Sequence, residues 1–355
     1  MENKVKKIVL GIGVTFAALG LSAGAVKAAN YVQKSNALNY YRDSSLRIVN
    51  DSNVHFVKAP NYAWAKNPSG SNTISSESGT PWTFKTQYLL PHPDVALGSS
   101  DYNFTNPQSA ARAGKYLYVV YSPHQLNGKG FIVRYDTSEL SSLGLEKSSN
   151  LTVSRDSSAM KVSKIFQVGH GQSLAYNPKA HELWMWRDRG DMKGGPTNTV
   201  QRISTSTLMP NKSITFKMSD GGAYIPGGHD LTFDNHGTAL YWEMSSGHVK
   251  IYKMNIGSKS VKVTLTKQLF KNGTGTHEQS IGFNSHNGRV YIVSDDSIAS
   301  FPESKTNGNG SLTSKDFKYT RFNSKREFES LFFVGGHGML LSNKNPEVFR
   351  STTAY

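Results

Sequence analysis

Histidine, glutamine and carboxylate side chains recur in this 355-residue chain just ahead of short apolar segments, and the recurrence bears on what chemistry they can perform. Four segments align without gaps: His170-Gly-Gln-Ser-Leu-Ala-Tyr176, Gly227-Gly-His-Asp-Leu-Thr-Phe233, His277-Glu-Gln-Ser-Ile-Gly-Phe283 and Glu327-Phe-Glu-Ser-Leu-Phe-Phe333. A looser fifth copy is Asn106-Pro-Gln-Ser109, followed by Ala110 and Ala111. If the copies converge on one axis, His170, Gln172, His229, Asp230, His277, Gln279, Glu327 and Glu329 form a rim of ligand-binding candidates. Asn106, Gln108, Ser109, Ser173, Ser280 and Ser330 belong to the same set. Three histidines beside carboxylates have donor types suited to a cation or a polar ligand. A hydrogen-bonded belt tethering neighbouring repeats uses the same residues. Repetition favours the belt, because catalysis usually needs asymmetry. The sequence therefore assigns no catalytic residue, no metal set and no cofactor, and a cation in the central channel is the one addition that the rim allows.

Other motifs carry less. The Arg-Gly-Asp triplet within Asp188 to Asp191 reads as an ordinary turn, and Asp295-Asp296 as a solvated turn or, alternatively, a calcium ligand pair. There is no G-x-S-x-G elbow, no H-E-x-x-H and no phosphate loop. A glycosidase needs two carboxylates on one cleft, for which Asp230 with Glu327 or Glu329 is the available pair. Trp184, Trp186, Tyr241 and Trp242 read as core rather than as sugar-stacking residues.

The elements that must hold these residues follow from the repeat. In each copy a polar stretch passes into an apolar residue and then an aromatic one, as in a strand leaving a polar rim for a core. Turns such as Asn-Pro-Lys-Ala and Ser-His-Asn-Gly lead to second strands, among them Glu182 to Trp186 and Arg289 to Val293. Third and fourth strands recur after them, for example Val249 to Tyr252 and Val263 to Thr266. This predicts an all-β fold, a β-propeller of five four-stranded blades. The fifth unit runs out of chain after its third strand, so Trp82 to Leu90 is expected to pair into the last blade and close the ring. A six-bladed ring that uses part of Asn30 to Thr80, or an irregular β-sandwich, are the alternatives.

The ends and the composition set the setting. Lys4, Lys6 and Lys7 precede an uncharged apolar stretch from Ile8 to Ala25, and Val26-Lys27-Ala28 ends it with small residues. That order predicts a secretory signal peptide over 1–28, with a membrane anchor as the alternative. Residues 29–81 then form an N-terminal extension, in which Pro68 to Gly79 reads as a flexible Ser/Gly/Asn linker, and 82–355 form the propeller domain. No cysteine is present, so an exported chain must rest on its core instead of disulfides. The formal charge is +15, and loss of four lysines and one glutamate with the leader makes it +12. Outside a cell, such charge suits cell-wall polyanions such as teichoic acid, or surface glycans, rather than nucleic acid. Keeping the chain soluble is the plainer use of the same charge. No other stretch approaches membrane length, and a secreted monomer is expected.

The motifs Gly169-His-Gly-Gln-Ser173, His277-Glu-Gln-Ser-Ile-Gly-Phe283 and Glu327-Phe-Glu-Ser-Leu331 resemble, in order, the strand-opening motifs of the helveticin J family of large heat-labile bacteriocins. The resemblance spans roughly Asn106 to Asn343. It implies a secreted antibacterial protein acting on related Gram-positive cells, and brings no catalytic residue. Two further classes stay open: a carbohydrate-active enzyme on wall glycans and a non-catalytic adhesion propeller.

Overall fold

The computed structural model describes residues 28–33, 36–38, 42–93, 106–150, 152–153, 158–187, 197–220, 223–225, 227, 230–245, 247–308 and 310–355. The expected leader, apart from Ala28, lies outside the described residues, as do His229 and the Arg-Gly-Asp triplet.

Each repeat unit folds as an antiparallel meander running outward from an inner strand. The first unit has Pro107–Ala113, Tyr116–Tyr121 and Lys129–Asp136, with Met160–Val162 and Phe166–Gln167 both paired to the third strand. The second has Ala175–Asn177, Glu182–Trp186, Asn198–Ile203 and Pro210–Phe216. The third has Thr232–Phe233, Ala239–Ser245, His248–Ile256 and Val261–Phe270. The fourth has Ser280–Asn284, Arg289–Ser294, Ser297–Pro302 and Lys318–Phe322. The fifth has Phe328–Val334, His337–Ser342 and Glu347–Ala354, and Thr83–Leu89 pairs antiparallel on its outer side.

Local chemistry accounts for these elements. In Val261–Phe270, buried Val261, Val263 and Leu265 alternate with outward Lys262 and Thr264, the period of a half-buried strand. Second strands such as Tyr116–Tyr121 are apolar almost throughout, since both faces meet a neighbouring sheet. The hairpins turn on side chains that replace backbone partners: Asn177 Oδ1 accepts from the Lys179 and Ala180 amides, and Asp234 Oδ1 from those of His236 and Thr238.

The core is divided among the spaces between consecutive sheets. Trp186 lies 4.9 Å from Tyr241 between the second and third units. Phe270 meets Phe301 at 5.0 Å between the third and fourth. Leu331 and Val293 share the space between fourth and fifth, Met339 and Val119 that between fifth and first, and Val120 and Met185 that between first and second. Such aromatic pairs each add about 0.5–1.5 kcal/mol beyond the area they bury. The inner strands also touch in cyclic order, the fifth unit's against the first. Meanders stacked round an axis in this way make a β-propeller.

Two details differ from the sequence reading. The fourth strand that each blade is expected to have is broken in the first unit, where Ser163 Oγ accepts from the Ile132 amide between Met160–Val162 and Phe166–Gln167. The helical segment Thr137–Asn150, bent at Gly144 with φ 70°, was not expected; it buries Leu140 against the first unit and packs on Thr83–Leu89.

The N-terminal extension wraps the outside of the propeller. Ala29–Val32 adds in parallel to Pro210–Phe216 of the second unit, and Arg47–Val49 in parallel to Val261–Phe270 of the third. The run Pro68 to Gly79, read as a linker, instead holds the strand Thr73–Gly79, which pairs antiparallel with Lys318–Phe322 of the fourth unit and with Thr83–Leu89. Small polar residues there have little to bury, so backbone pairing on both sides forms the strand. Among the described residues no helix is long and apolar enough to cross a membrane.

Candidate functional site

The inner strands bring the repeated polar residues to one level of the axis, where side-chain alternation splits them into two sets. Gln172 Nε2 donates to Gln279 Oε1 and, at 3.5 Å, to Glu329 Oε2. The second and fourth units are not neighbours, so these bonds span the centre. Asn343 Nδ2 donates to Glu329 Oε1 at 3.0 Å and to Asn106 Oδ1 at 2.9 Å, and Gln108 Nε2 reaches the same Asn106 oxygen at 3.0 Å. The network is a plug: Gln108, Gln172, Gln279, Glu329 and Asn343 are all buried. Burial pushes the Glu329 carboxyl well above its ordinary value, and nearby Glu327 pushes it further, against the bonds from Asn343 and Gln172. The buried plug thus favours the neutral form of Glu329.

The other set tethers strands. Ser109 Oγ donates to Gly171 O at 2.6 Å and accepts from the Leu174 amide, joining the first and second units. Ser280 Oγ accepts from the Leu331 amide, joining the fourth and fifth. Ser173 Oγ bonds the Trp186 amide and carbonyl, and Asp230 Oδ1 accepts from the Trp242 amide, each within its own unit.

Above the plug lies the rim. Glu327 is half-buried, and its carboxyl is raised by burial against the opposing pull of Lys344, His277 and His124. Buried Asp295 accepts from the Thr276 amide at 2.7 Å, from the His277 amide at 3.1 Å and from the Tyr62 hydroxyl. Tyr62 comes from the extension; its carbonyl accepts from Lys344 Nζ at 3.1 Å, and that ammonium stands 5.5 Å from its ring. Burial, then the bond to Asp295, raises the Tyr62 hydroxyl far above its usual range. Asp296 binds Ser324 Oγ and the Lys325 amide, so both members of the Asp295-Asp296 pair hold turns.

On the far side of the plug the inner strands line a cavity of about 160 Å³, walled by Ala110, Leu174, Leu231, Ile281 and Leu331 with Arg112, Tyr176, Phe233, Phe283 and Phe333 further along.

The candidate residues thus separate. Gln172, Gln279 and Glu329 meet at the axis; Glu327 and His277 share the rim; His170 is half-buried; Asp230 is turned into its own sheet; His229 lies outside the described residues. Among the described residues no group of three or more His, Asp or Glu is placed to hold a metal. Trp184, Trp186, Tyr241 and Trp242 are buried as core. Sequence reasoning missed Asn343, Lys344, Tyr62 and His124. Lys344 and Asn345 are consecutive left-handed residues, and the Asn-Lys-Asn turn that requires them was the one local signal available.

No family model and no curated protein matches the chain. Among solved structures, it is similar to a luciferin-regenerating enzyme, at 11% identity and a TM-score of 0.41 over 70% of this chain and 92% of that one. It is also similar to the gluconolactonase XC5397 from Xanthomonas campestris, at 9% and 0.37 over 82% and 87%. A protein from Lactobacillus plantarum aligns at 10% and 0.36 over 77% and 75%. These likenesses are too low to bear on chemistry, and the fold stands on its own strand pairing.

Proposed function

We propose that this chain is an exported propeller that docks on the anionic envelope of Gram-positive bacteria and acts there as a bacteriocin-like antibacterial protein. The observation that carries the docking is a charge asymmetry created by folding. Nine carboxylate residues are buried among the described residues: Asp51, Asp136, Asp230, Asp234, Glu243, Asp295, Asp296, Glu329 and Glu347. Only two basic residues, Lys250 and Arg326, are buried with them. Folding buries more acids than bases, so the solvent face is more basic than is conveyed by the +12 that remains once the leader's four lysines and one glutamate are gone. A field of that sign draws polyanions and weakens with salt.

The apolar leader supports export, and the strand-opening motifs that resemble the helveticin J family support the antibacterial role. The architecture that presents the surface is a ring of five blades, closed by the 82–90 strand. Five inter-sheet cores and the cyclic contact of the inner strands support the count, and the pairing of Thr83–Leu89 with Glu347–Ala354 supports the closure. Buried Asp230 and Glu329 both accept hydrogen bonds within the fold, which favours a structural role for them over that of a glycosidase pair.

Purified mature protein spotted on lawns of related Gram-positive species tests the antibacterial role: clearing at micromolar protein is expected, and an inert spot at that concentration overturns it. Release of products from purified wall polymers, lost in Glu327→Gln, would place the chain among carbohydrate-active enzymes instead.

A further inference from the structure

Away from the axis, a shallow groove of about 500 Å³ opens between the first and second units, lined by Tyr116, Tyr118, Arg134, Tyr176, His181 and Lys115. Its floor is aromatic. Tyr116 and Tyr118 meet edge to face at 6.4 Å, and Tyr176 holds His181 Nδ1 through its hydroxyl at 2.9 Å. Its cations sit on that floor: the Arg134 guanidinium lies 4.3 Å from the Tyr116 ring centre and Lys115 Nζ 5.2 Å from it. Lys115 is paired with Asp136 at 2.7 Å, whereas among the described residues Arg134 donates at 3.4 Å to the Thr205 carbonyl and forms no ion pair. Among the described residues no Asp or Glu lines the groove. Tyr176 lines both this groove and the axial cavity.

Second-strand aromatics elsewhere, such as Trp184 and Trp242, are sealed in the core; Tyr116 is their counterpart left half-exposed beside a guanidinium. A planar cation stacked on a tyrosine is held flat and partly stripped of water, which presents its edge donors to an anion. The half-exposed Tyr176 ring beside it suits the C–H face of a sugar or polyol. A ligand that carries both carbon units and phosphates would use both features.

We propose that this groove is a binding site for a phosphate-linked polyol polymer, with polyol carbons on Tyr176 and phosphate on His181 and on the Arg134 guanidinium that Tyr116 holds flat. The inference rests on the envelope-docking reading and names the site at which it becomes specific.

The probe is soluble poly(glycerol phosphate), titrated calorimetrically into mature protein at fixed ionic strength. Arg134→Gln and Tyr116→Ala are each expected to weaken binding about tenfold, in line with a stacked cation and its partner ring. Arg134→Lys, which keeps the charge and loses the planar fork, is expected to weaken it as well. Lys318→Gln on the fourth unit removes the same charge at a distance and is expected to leave the affinity within about twofold. Thermal unfolding of each variant separates lost binding from lost fold. If all four variants bind like the parent, or Lys318→Gln weakens binding as much as Arg134→Gln, the groove assignment is overturned while envelope docking stands. If the parent binds neither the polymer nor wall sacculi, the docking reading falls. Binding of phosphatidylglycerol vesicles without binding of the polymer also overturns the assignment.

Discussion

Arg326 and Glu347 form an ion pair buried inside the fifth unit, with Nη1 to Oε1 at 2.5 Å and relative exposures of 5% and 0%. Glu347 also accepts from Asn72 Nδ2 and, at 2.7 Å, from Thr86 Oγ1. Arg326 Nη2 donates to the Asn343 carbonyl at 3.0 Å. One carboxylate therefore binds together the extension, the closing strand, the last third strand and the turn that supplies the axial Asn343.

Breaking that pair from one side leaves a buried charge without a partner. Glu347→Gln and Arg326→Met are each expected to destabilise the protein by about 3–5 kcal/mol, and the double variant Arg326→Met/Glu347→Leu by clearly less than their sum. Urea unfolding of the three variants measures this; additive losses would mean that the two residues act independently.

The axial plug makes stability depend on pH. An unfolded Glu329 titrates near 4.5, whereas the folded carboxyl titrates well above that. Between those values the folded chain keeps a proton that the unfolded chain has released, so stability falls as pH rises from about 4.5 toward neutral. Below the unfolded value both states are protonated and the group contributes no slope. Asp51, Asp296 and Glu327 are raised too and act in the same sense, while lowered Asp43, Asp136 and Asp316 act in the opposite one. Glu329→Gln keeps the shape of the neutral acid, and its unfolding free energy is expected to decline less steeply than the parent's across this range. Parallel curves for the two proteins would show that Glu329 is ionised in the fold.

How much of this was legible in the sequence divides along a physical line. Strands whose alternation or apolar run is local, such as Glu182–Trp186 and Arg289–Ser294, announced themselves, and so did Gln172, Gln279 and Glu329, which recur at one repeat position. Thr83–Leu89 was found because a missing outer strand in the fifth unit called for it. Thr73–Gly79 was not, since its serines and glycine carry a strand only through partners on both sides. Tyr62 escaped for the same reason, for its bond to Asp295 joins residues 233 positions apart. Asp230 shared the repeat position of a tethering serine and did that serine's work, which the alignment showed and the search for a carboxylate pair obscured.

Thr73–Gly79 ends at a glycine that the fold requires. Gly79 has φ +84°, and a Cβ there would stand 2.0 Å from the Tyr319 carbonyl oxygen. Gly114 has φ +56° with nothing within 4 Å of such an atom. Gly114→Ala is therefore expected to cost about 1 kcal/mol from backbone strain alone, and Gly79→Ala more than 2 kcal/mol, roughly, with faster amide exchange at Thr320 and Arg321. Equal losses would mean that the extension yields at Gly79 without disturbing the fourth unit.

Tyr62 tests the hold of the extension on the rim. Tyr62→Phe removes one donor from buried Asp295 while the Thr276 and His277 amides keep theirs, so a loss of about 1–2 kcal/mol is expected. Unchanged stability would mean that water replaces the hydroxyl.

The central claim is that the acid-depleted surface binds envelope polyanions, and it is tested most directly by measuring mature protein bound to purified wall sacculi as salt is raised. The account predicts tight binding at low salt that falls steadily toward molar salt, and falls sharply at every salt concentration once phosphate polymers are stripped from the walls. Binding indifferent both to salt and to stripping, or none at low salt, would contradict it.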